Sequence, residues 1–542
     1  MKKLKLFFAC VFLCTATAFA DDTLVNEENF PDEIFRNWIL WNWAQDGVLT
    51  DDDIANITAM LITNRHISDL TGIEFFTNLT GLHIRYIQIT SLDVSMLRNL
   101  ETLTLSRNVH LASLDVSGLI NLTNLNVDIS QLNSLDVSSL ANLVSLIVSR
   151  NQLISLDVSS LTNLTNLNVS GNQLTSLDVS GLTNLQTLNC SNNQLTSLNV
   201  SGLTNLQILN CTVNRLTLLD VSGLINLREL LAWNNQLTSL DVSGLTNLQV
   251  LHPASNRLTS LTVSDLPNLI RLSVFSNQLT SLVLSDLPNL RELRASINQL
   301  SSIDVSALTS LTFLSINQNQ LISLDATGLK NLTELDIWHN RLTSLNLSGL
   351  NNLERLSCGR NKLTSLDVSN LPNLIDLSVR DNQLTSLDVS GLNNLEWLDV
   401  EFNQLTSIDL TSLEYLIEFW GCRQTPTLTF AGANDNYYLA IDLNNPTFLA
   451  FGLSYENGIL TSTDRTITSS PFVVETGHSN PNFRLSGTLN LIYPARVNIP
   501  EINLNRTPVA FYTITGVRLG QKPQSGIFII LYDDGSAEKV MR

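Results

Sequence analysis

The sequence predicts a solenoid: about seventeen turns of a coil whose short parallel β-strands line a curved, concave face. A small helical cap precedes the coil and a β-rich module follows it. Three observations predict this. A stretch of 21 residues, 185–205, repeats in tandem along most of the chain, and a period of this length is the signature of stacked repeats. An asparagine anchors each copy, at Asn151, Asn172, Asn193, Asn214, Asn235, Asn256, Asn277, Asn298, Asn319, Asn340, Asn361, Asn382 and Asn403, always 21 apart. Upstream the frame continues through Arg65, Ile87, Asn108 and Ser130. Within a copy, Leu188 and Cys190 alternate with polar neighbours, as in a strand with one buried face.

The physics of one turn accounts for its columns. Asn193 stands where the chain leaves the strand, and a buried asparagine carries the donors and acceptor to satisfy backbone groups left unpaired there. Stacked turns make these side chains a structural ladder. Leu195, Leu198, Val200, Leu203 and Leu206 are expected to point inward from the other sides of the coil. One turn cannot bury them alone, so its neighbours must.

These residues follow the pattern L-x-x-L-x-L-x-x-N-x-L, and residues 60–423 resemble leucine-rich repeats. The 21-residue form resembles that of bacterial internalins, the internalin J type especially. In that type a cysteine ladder fills one core column. Here only Cys190, Cys211 and Cys358 occupy it, with Val, Ala, Ile and Pro253 elsewhere, so a full cysteine ladder is absent.

The amino terminus reads as two segments. Residues 1–20 have the form of a secretory signal peptide: Lys2, Lys3 and Lys5, an apolar run over 6–14, then Ala18, Phe19 and Ala20. A lipoprotein reading through Cys14 would place the bulky Leu13 before that cysteine. Residues 21–60 carry no repeat. Pro31 opens one expected helix with Ile34, Phe35, Trp38, Ile39 and Trp43 on its apolar side. Thr50 and Asp53 form a capping box for a second, carrying Ile54, Ile57 and Leu61. The stretch resembles amino-terminal caps of bacterial leucine-rich repeat proteins. Relatives of that cap often hold an EF-hand-like loop. Aligned on Gly47, its ligand slots fall on Asn42, Ala44, Asp46, Thr50 and Asp53; alanine cannot bind a cation and the closing residue is not Glu. A plain structural cap is the expectation, with no metal.

The repeats, 61–424, expose the slots six, four and two before each ladder asparagine on the concave face. Early turns are bland there: Asn166, Asn168 and Ser170, then Thr187, Asn189 and Ser191. Later turns place Trp233, Phe275, Trp338 and Trp397 in these slots, with His252, Arg271, Arg294, Arg355, Arg380 and Glu401 beside them. A solvated strand face has no structural need of tryptophan, whereas rings among mixed charges are what binding surfaces use. Scattered surface aromatics, however, need no explanation. The expectation is a ligand footprint between Glu229 and Phe402.

A second column, Asp115, Asp136, Asp157, Asp178, Asp220, Asp241, Asp304, Asp325, Asp367, Asp388 and Asp409, recurs before Val-Ser or a similar pair. Calcium would neutralise such a row, but no turn adds the further oxygens of a calcium loop. Asn199, Thr262 and Asn346 stand in the same slot, which fits capping of local amides.

Beyond 424 leucine thins and β-branched residues and turn dipeptides increase. Residues 425–505 read as a β-rich module with strands near 437–443, 472–475 and 485–493. The tail, 506–542, resembles the carboxyl-terminal sorting domain of type IX secretion substrates of the Bacteroidetes. Tyr512 to Gly516, Gly526 to Phe528, Asp534, Gly535, Lys539 and Val540 carry that resemblance, with Phe528 where tyrosine is usual. It implies export to the outer surface.

The net charge of −19 argues against nucleic acid and anionic membranes as partners. No segment after the leader is long enough to span a membrane. No catalytic constellation emerges: the six histidines lack metal spacing, and Gly452, Ser454 and Glu456 lack the second glycine of a nucleophile elbow. No cofactor is implied. The leading expectation is a non-catalytic, secreted or surface-exposed protein that recognises a protein or glycan, in adhesion or host interaction. Alternatives are a structural spacer of the cell envelope and an enzyme active in the 425–505 module.

Overall fold

The computed structural model describes residues 22–405 without a break and, beyond them, strands and single residues between 407 and 541. Residues 1–20, the expected leader, lie outside the described residues, as does the strand expected at 437–443. The chain divides into two compact units, Met1–Ile303 and Asp304–Arg542.

The first unit opens with the cap. Its helix Glu33–Asn42 begins two residues after Pro31: Asp32 is the N-cap, its Oδ1 accepting from the amides of Ile34 at 3.0 Å and Phe35 at 2.9 Å. Oδ2 of the same carboxylate accepts from the Ser68 amide at 2.9 Å, which ties the cap to the first turn. Phe30 and Phe35 are buried, with Phe76 against Phe30. The second helix, Asp51–Asn56, has the expected capping box between Thr50 and Asp53. It is shorter than expected. Ile57 is its C-cap, and Leu61 belongs to the strand Ala59–Ile62, where Met60 and Ile62 are buried and Leu61 is exposed. The two-residue alternation of that segment wins because Gly81–Arg85 offers it a parallel partner.

From Ala59–Ile62 to Glu292–Arg294 successive strands pair parallel and in register, as Leu188 with Leu209. In the second unit the same ladder runs from Phe313–Ser315 to Trp397–Asp399, and Glu418–Trp420 pairs with the last of these. The inward columns are dry: Leu195, Leu203 and Leu206 are fully buried, with Leu198 and Val200 close behind. Cys190, Cys211 and Cys358 are free and buried. Burial raises all three thiols, Cys211 and Cys358 to about 12, so they act as small apolar residues.

The ladder has a fixed bonding pattern. Asn193 Nδ2 donates to the carbonyls of Val169 at 3.0 Å, Cys190 at 3.1 Å and Ser191 at 3.2 Å, while Oδ1 accepts from the Leu174 amide at 3.0 Å. Each rung therefore joins its own turn to the preceding one. Asn382 repeats this in the second unit, with Cys358, Val379 and Arg380 as carbonyl partners and Leu363 as donor. The residue before each rung is left-handed. Val213 and Ile297, with φ of 52° and 56°, hold this conformation although β-branching disfavours it.

A second asparagine column escaped the sequence reading. Asn184 Nδ2 donates to the Thr162 carbonyl at 3.0 Å, and Asn163, Asn205 and Asn226 bond likewise to the carbonyl 22 residues earlier, all at exposed positions.

The aspartate column caps backbone. Asp178 Oδ1 accepts from the Ser180 amide at 3.0 Å, and Asn199 does the same for Ser201. Hydrogen bonds from the Ser180 backbone and side chain hold the Asp178 carboxyl below its usual range. Where Thr262 and Val283 replace the acceptor, Ser260–Ser264 and Ser281–Ser285 run on as five-residue strands that pair in parallel. Losing the local cap frees the segment for a ladder with its neighbour.

Past residue 405, Ser469–Glu475 and Arg484–Asn490 pair antiparallel, and Arg484–Asn490 also lies parallel to Glu418–Trp420. Pro508–Thr513, Arg518–Leu519, Ile527–Tyr532 and Ala537–Met541 form a separate antiparallel sheet.

Two stability predictions follow from these columns. Asn193→Ala leaves a buried amide and carbonyls without partners and should cost about 2–3 kcal/mol in urea unfolding, whereas Asn184→Ala, at an exposed site, should cost under about 1 kcal/mol. Equal costs would contradict a special role for the buried ladder. Val213→Asn should stabilise the protein by about 0.5–1 kcal/mol, because asparagine tolerates the left-handed region and stands in this slot at Asn192 and Asn234. A loss of stability would show that side-chain packing outweighs backbone strain there.

Candidate binding surface

Side chains in the three slots before each rung stand on the strand face because strand neighbours alternate sides. In the first unit three of them form a shelf. The rings of Trp233 and His252 lie 6.3 Å apart at 21°, and those of His252 and Phe275 lie 5.9 Å apart at 50°. Burial first, then the Arg294 charge, lowers the His252 pKa against the opposing pull of Glu292. His252 is therefore a neutral ring at neutral pH, and its buried Nε2 has no hydrogen-bond partner. Glu292 pairs with Arg271 at 3.7 Å and with Arg294. The five expected residues of this unit thus gather on adjoining turns.

In the second unit the strand face carries an open depression of about 750 Å³. Trp338, Arg355, Arg380 and Trp397 all line it. Its room comes from small residues. Ser357 and Ser378 occupy the central slots on its floor. Gly359 sits between Trp338 and Arg380 in the slot nearest the rung, where an added Cβ would lie 3.0 Å from the Trp338 ring and 2.8 Å from the Arg380 carbonyl. Large side chains at Ser357 and Ser378 would fill the hollow, and one at Gly359 would displace the Trp338 ring.

Charge is laid out by register. Glu334, Arg355, Asp376 and Trp397 face one another across consecutive strands. Arg355 pairs with Asp376 at 2.9 Å and Glu334 at 3.9 Å. These pairs are exposed and each is worth under about 1 kcal/mol. Asp336 accepts from the Ser315 hydroxyl, the Asn317 side chain and the Trp338 amide. Arg360 lies over the Trp338 ring at 4.9 Å, and Arg380 over Phe402 at 4.7 Å.

Glu401 differs from expectation: it is 6% exposed and hydrogen-bonds Arg380 from beneath rather than facing a ligand. Asp399 is buried beside it, with Arg380 3.8 Å away. Burial pushes the Asp399 carboxyl up to about 6, although the Glu401 amide and the Arg380 charge favour its ionised form. Sequence reasoning missed the burial of this pair and the small residues of the hollow. Serine and glycine in outward slots between tryptophans were the available signal. Among the described residues no three His, Cys, Asp or Glu side chains are grouped to hold a metal ion, and no helix is long and apolar enough to cross a membrane.

Asp399 generates a pH prediction. Its folded pKa lies above that of an unfolded carboxyl, so the native state binds the proton more tightly. The stability it contributes is present below about pH 4 and is lost as pH rises through about 6. Relative to wild type, Asp399→Asn should therefore gain about 1–3 kcal/mol between pH 4 and pH 7.5, read from urea unfolding at both. A difference independent of pH would contradict the burial argument.

Comparison with known proteins places the repeats. Residues 30–151 match the leucine-rich repeat domain of the endo-β-N-acetylglucosaminidase EndoS. Residues 163–185, 184–206 and 331–353 match the leucine-rich repeat itself. No curated protein matches the sequence. Among solved structures, the leucine-rich repeat protein LIC12759 of Leptospira interrogans is 26% identical with a TM-score of 0.52, over 68% of this chain and 91% of its own. YopM from Yersinia enterocolitica is 25% identical with a TM-score of 0.53, over 73% and 95%. The functional domain of InlJ from Listeria monocytogenes, which includes a cysteine ladder, is 24% identical with a TM-score of 0.47, over 87% and 98%. The chain is a solenoid of leucine-rich repeats about 21 residues long.

Proposed function

We propose that this is a non-catalytic binding protein, exported to the cell surface or beyond, which holds a protein or glycan on its strand face in adhesion or host interaction. The observation that carries the reading is the depression between Trp338 and Trp397, where aromatic and charged side chains converge around small residues. Rings of this kind bury large areas at low entropic cost and dominate recognition energetics. The ring shelf of Trp233, His252 and Phe275 supports the same reading from the other unit. Export rests on the leader-like residues 1–20 and on the tail's likeness to a sorting domain.

The test is a binding screen of the full chain against host matrix proteins and glycans, run beside a Trp233→Ala/Phe275→Ala/Trp338→Ala variant. A hit weakened at least tenfold in the variant, with an unchanged circular dichroism spectrum, is the expected result. A hit that the variant retains in full would move recognition away from the strand face.

A further inference from the structure

The depression in the second unit has a chemistry more specific than recognition in general. Four carboxylates line it, those of Glu334, Asp336, Asp376 and Asp399, against two guanidinium groups. Both guanidinium groups are already engaged: Arg355 by Asp376 and Glu334, and Arg380 by Asp399 and Glu401 with Phe402 beneath it. An anionic ligand would have to break these pairs. Asp336, by contrast, accepts only from neutral donors among the described residues, the Ser315 hydroxyl, the Asn317 side chain and the Trp338 amide, so a cation can reach it without displacing a guanidinium. The Trp338 ring already accepts one cation, Arg360 at 4.9 Å, and Trp397 lines the same hollow. Two indoles flanking an excess of carboxylate are suited to a cation carried on an apolar stem.

We propose that this depression takes a lysine or arginine side chain from a basic segment of a partner protein, its apolar stem against the indole rings that line the hollow and its charge toward Asp336 and Asp376. The proposal rests on the strand face being the binding surface. At about 750 Å³ the hollow has room for a long side chain with some of its flanking backbone. The chain's net charge of −19 draws a basic partner toward it at long range.

The probe is a nonapeptide of alternating glycine and arginine, titrated into the full chain by calorimetry beside its citrulline counterpart, which keeps the shape and loses the charge. The arginine peptide should bind at least tenfold more tightly. Trp338→Ala/Trp397→Ala, which leaves the net charge untouched, should lose at least tenfold in affinity, as should Asp336→Asn/Asp376→Asn. Trp338→Phe/Trp397→Phe should recover part of the loss, and urea midpoints report whether each variant is folded. Asp115→Asn/Asp136→Asn/Asp157→Asn removes three charges elsewhere and should change affinity less than twofold. Equal binding of the citrulline peptide would overturn the proposal. So would undiminished binding by a folded Trp338→Ala/Trp397→Ala variant, which would leave only non-specific attraction to an acidic chain. A neutral glycan or acidic protein captured by wild type and lost in that variant would overturn the cation site while keeping the strand face as binding surface. Capture of any screened partner that is indifferent to every strand-face variant would overturn both.

Discussion

A coil of 21-residue turns leaves the backbone where each strand ends with no partner inside its own turn, and the buried asparagine supplies one. In each rung the side-chain amide gathers carbonyls from two successive turns and the side-chain oxygen takes an amide from the earlier one. An unpaired buried backbone group costs about 1–3 kcal/mol, so the same solution must recur at every turn. Leucine burial supplies the bulk of the driving force, but it is non-directional and would tolerate a slipped register. The asparagine is directional. It also sustains the left-handed residue before it, which Val213 and Ile297 adopt against their own preference.

A backbone fixed in this way frees the outward slots. Neighbouring turns place their slots side by side in register, so a binding surface is written by choosing side chains and changing nothing else. In the first unit that choice stacks three rings. In the second it sets tryptophans at the walls and small residues between them, and opens a hollow whose charges are positioned by strand register. The guanidiniums there are held by carboxylates of neighbouring turns, and Asp336 is held by neutral donors. The hollow is thus preorganised, and a ligand meets side chains already held by neighbours.

The periodic part of the structure is legible because most columns carry one residue type for one reason. The asparagine period, the leucine columns and the aspartate caps could all be read from a single turn. Features set by the meeting of two turns were harder to read. Glu401 looked like a surface residue in its own turn, and it is buried because Arg380 of the preceding turn lies over it. The hollow depends on Ser357 and Ser378 being small beside large neighbours, a property of no single repeat. The exposed column of Asn184 and its equivalents was overlooked for a similar cause: its acceptor lies 22 residues away, outside the local pattern. Leu61 has the spacing of a helix residue, and the parallel partner Gly81–Arg85 makes its segment a strand instead.

The measurement that bears most directly on the asparagine ladder is hydrogen exchange at the Leu174 amide, whose acceptor is the side-chain oxygen of Asn193 one turn later. If the ladder carries the coil, this amide exchanges only through cooperative opening, as slowly as the Leu188 strand amide, and Asn193→Ala releases it while distant turns keep their protection. Fast exchange at Leu174 in the wild-type protein, or protection unchanged by the substitution, would contradict the account.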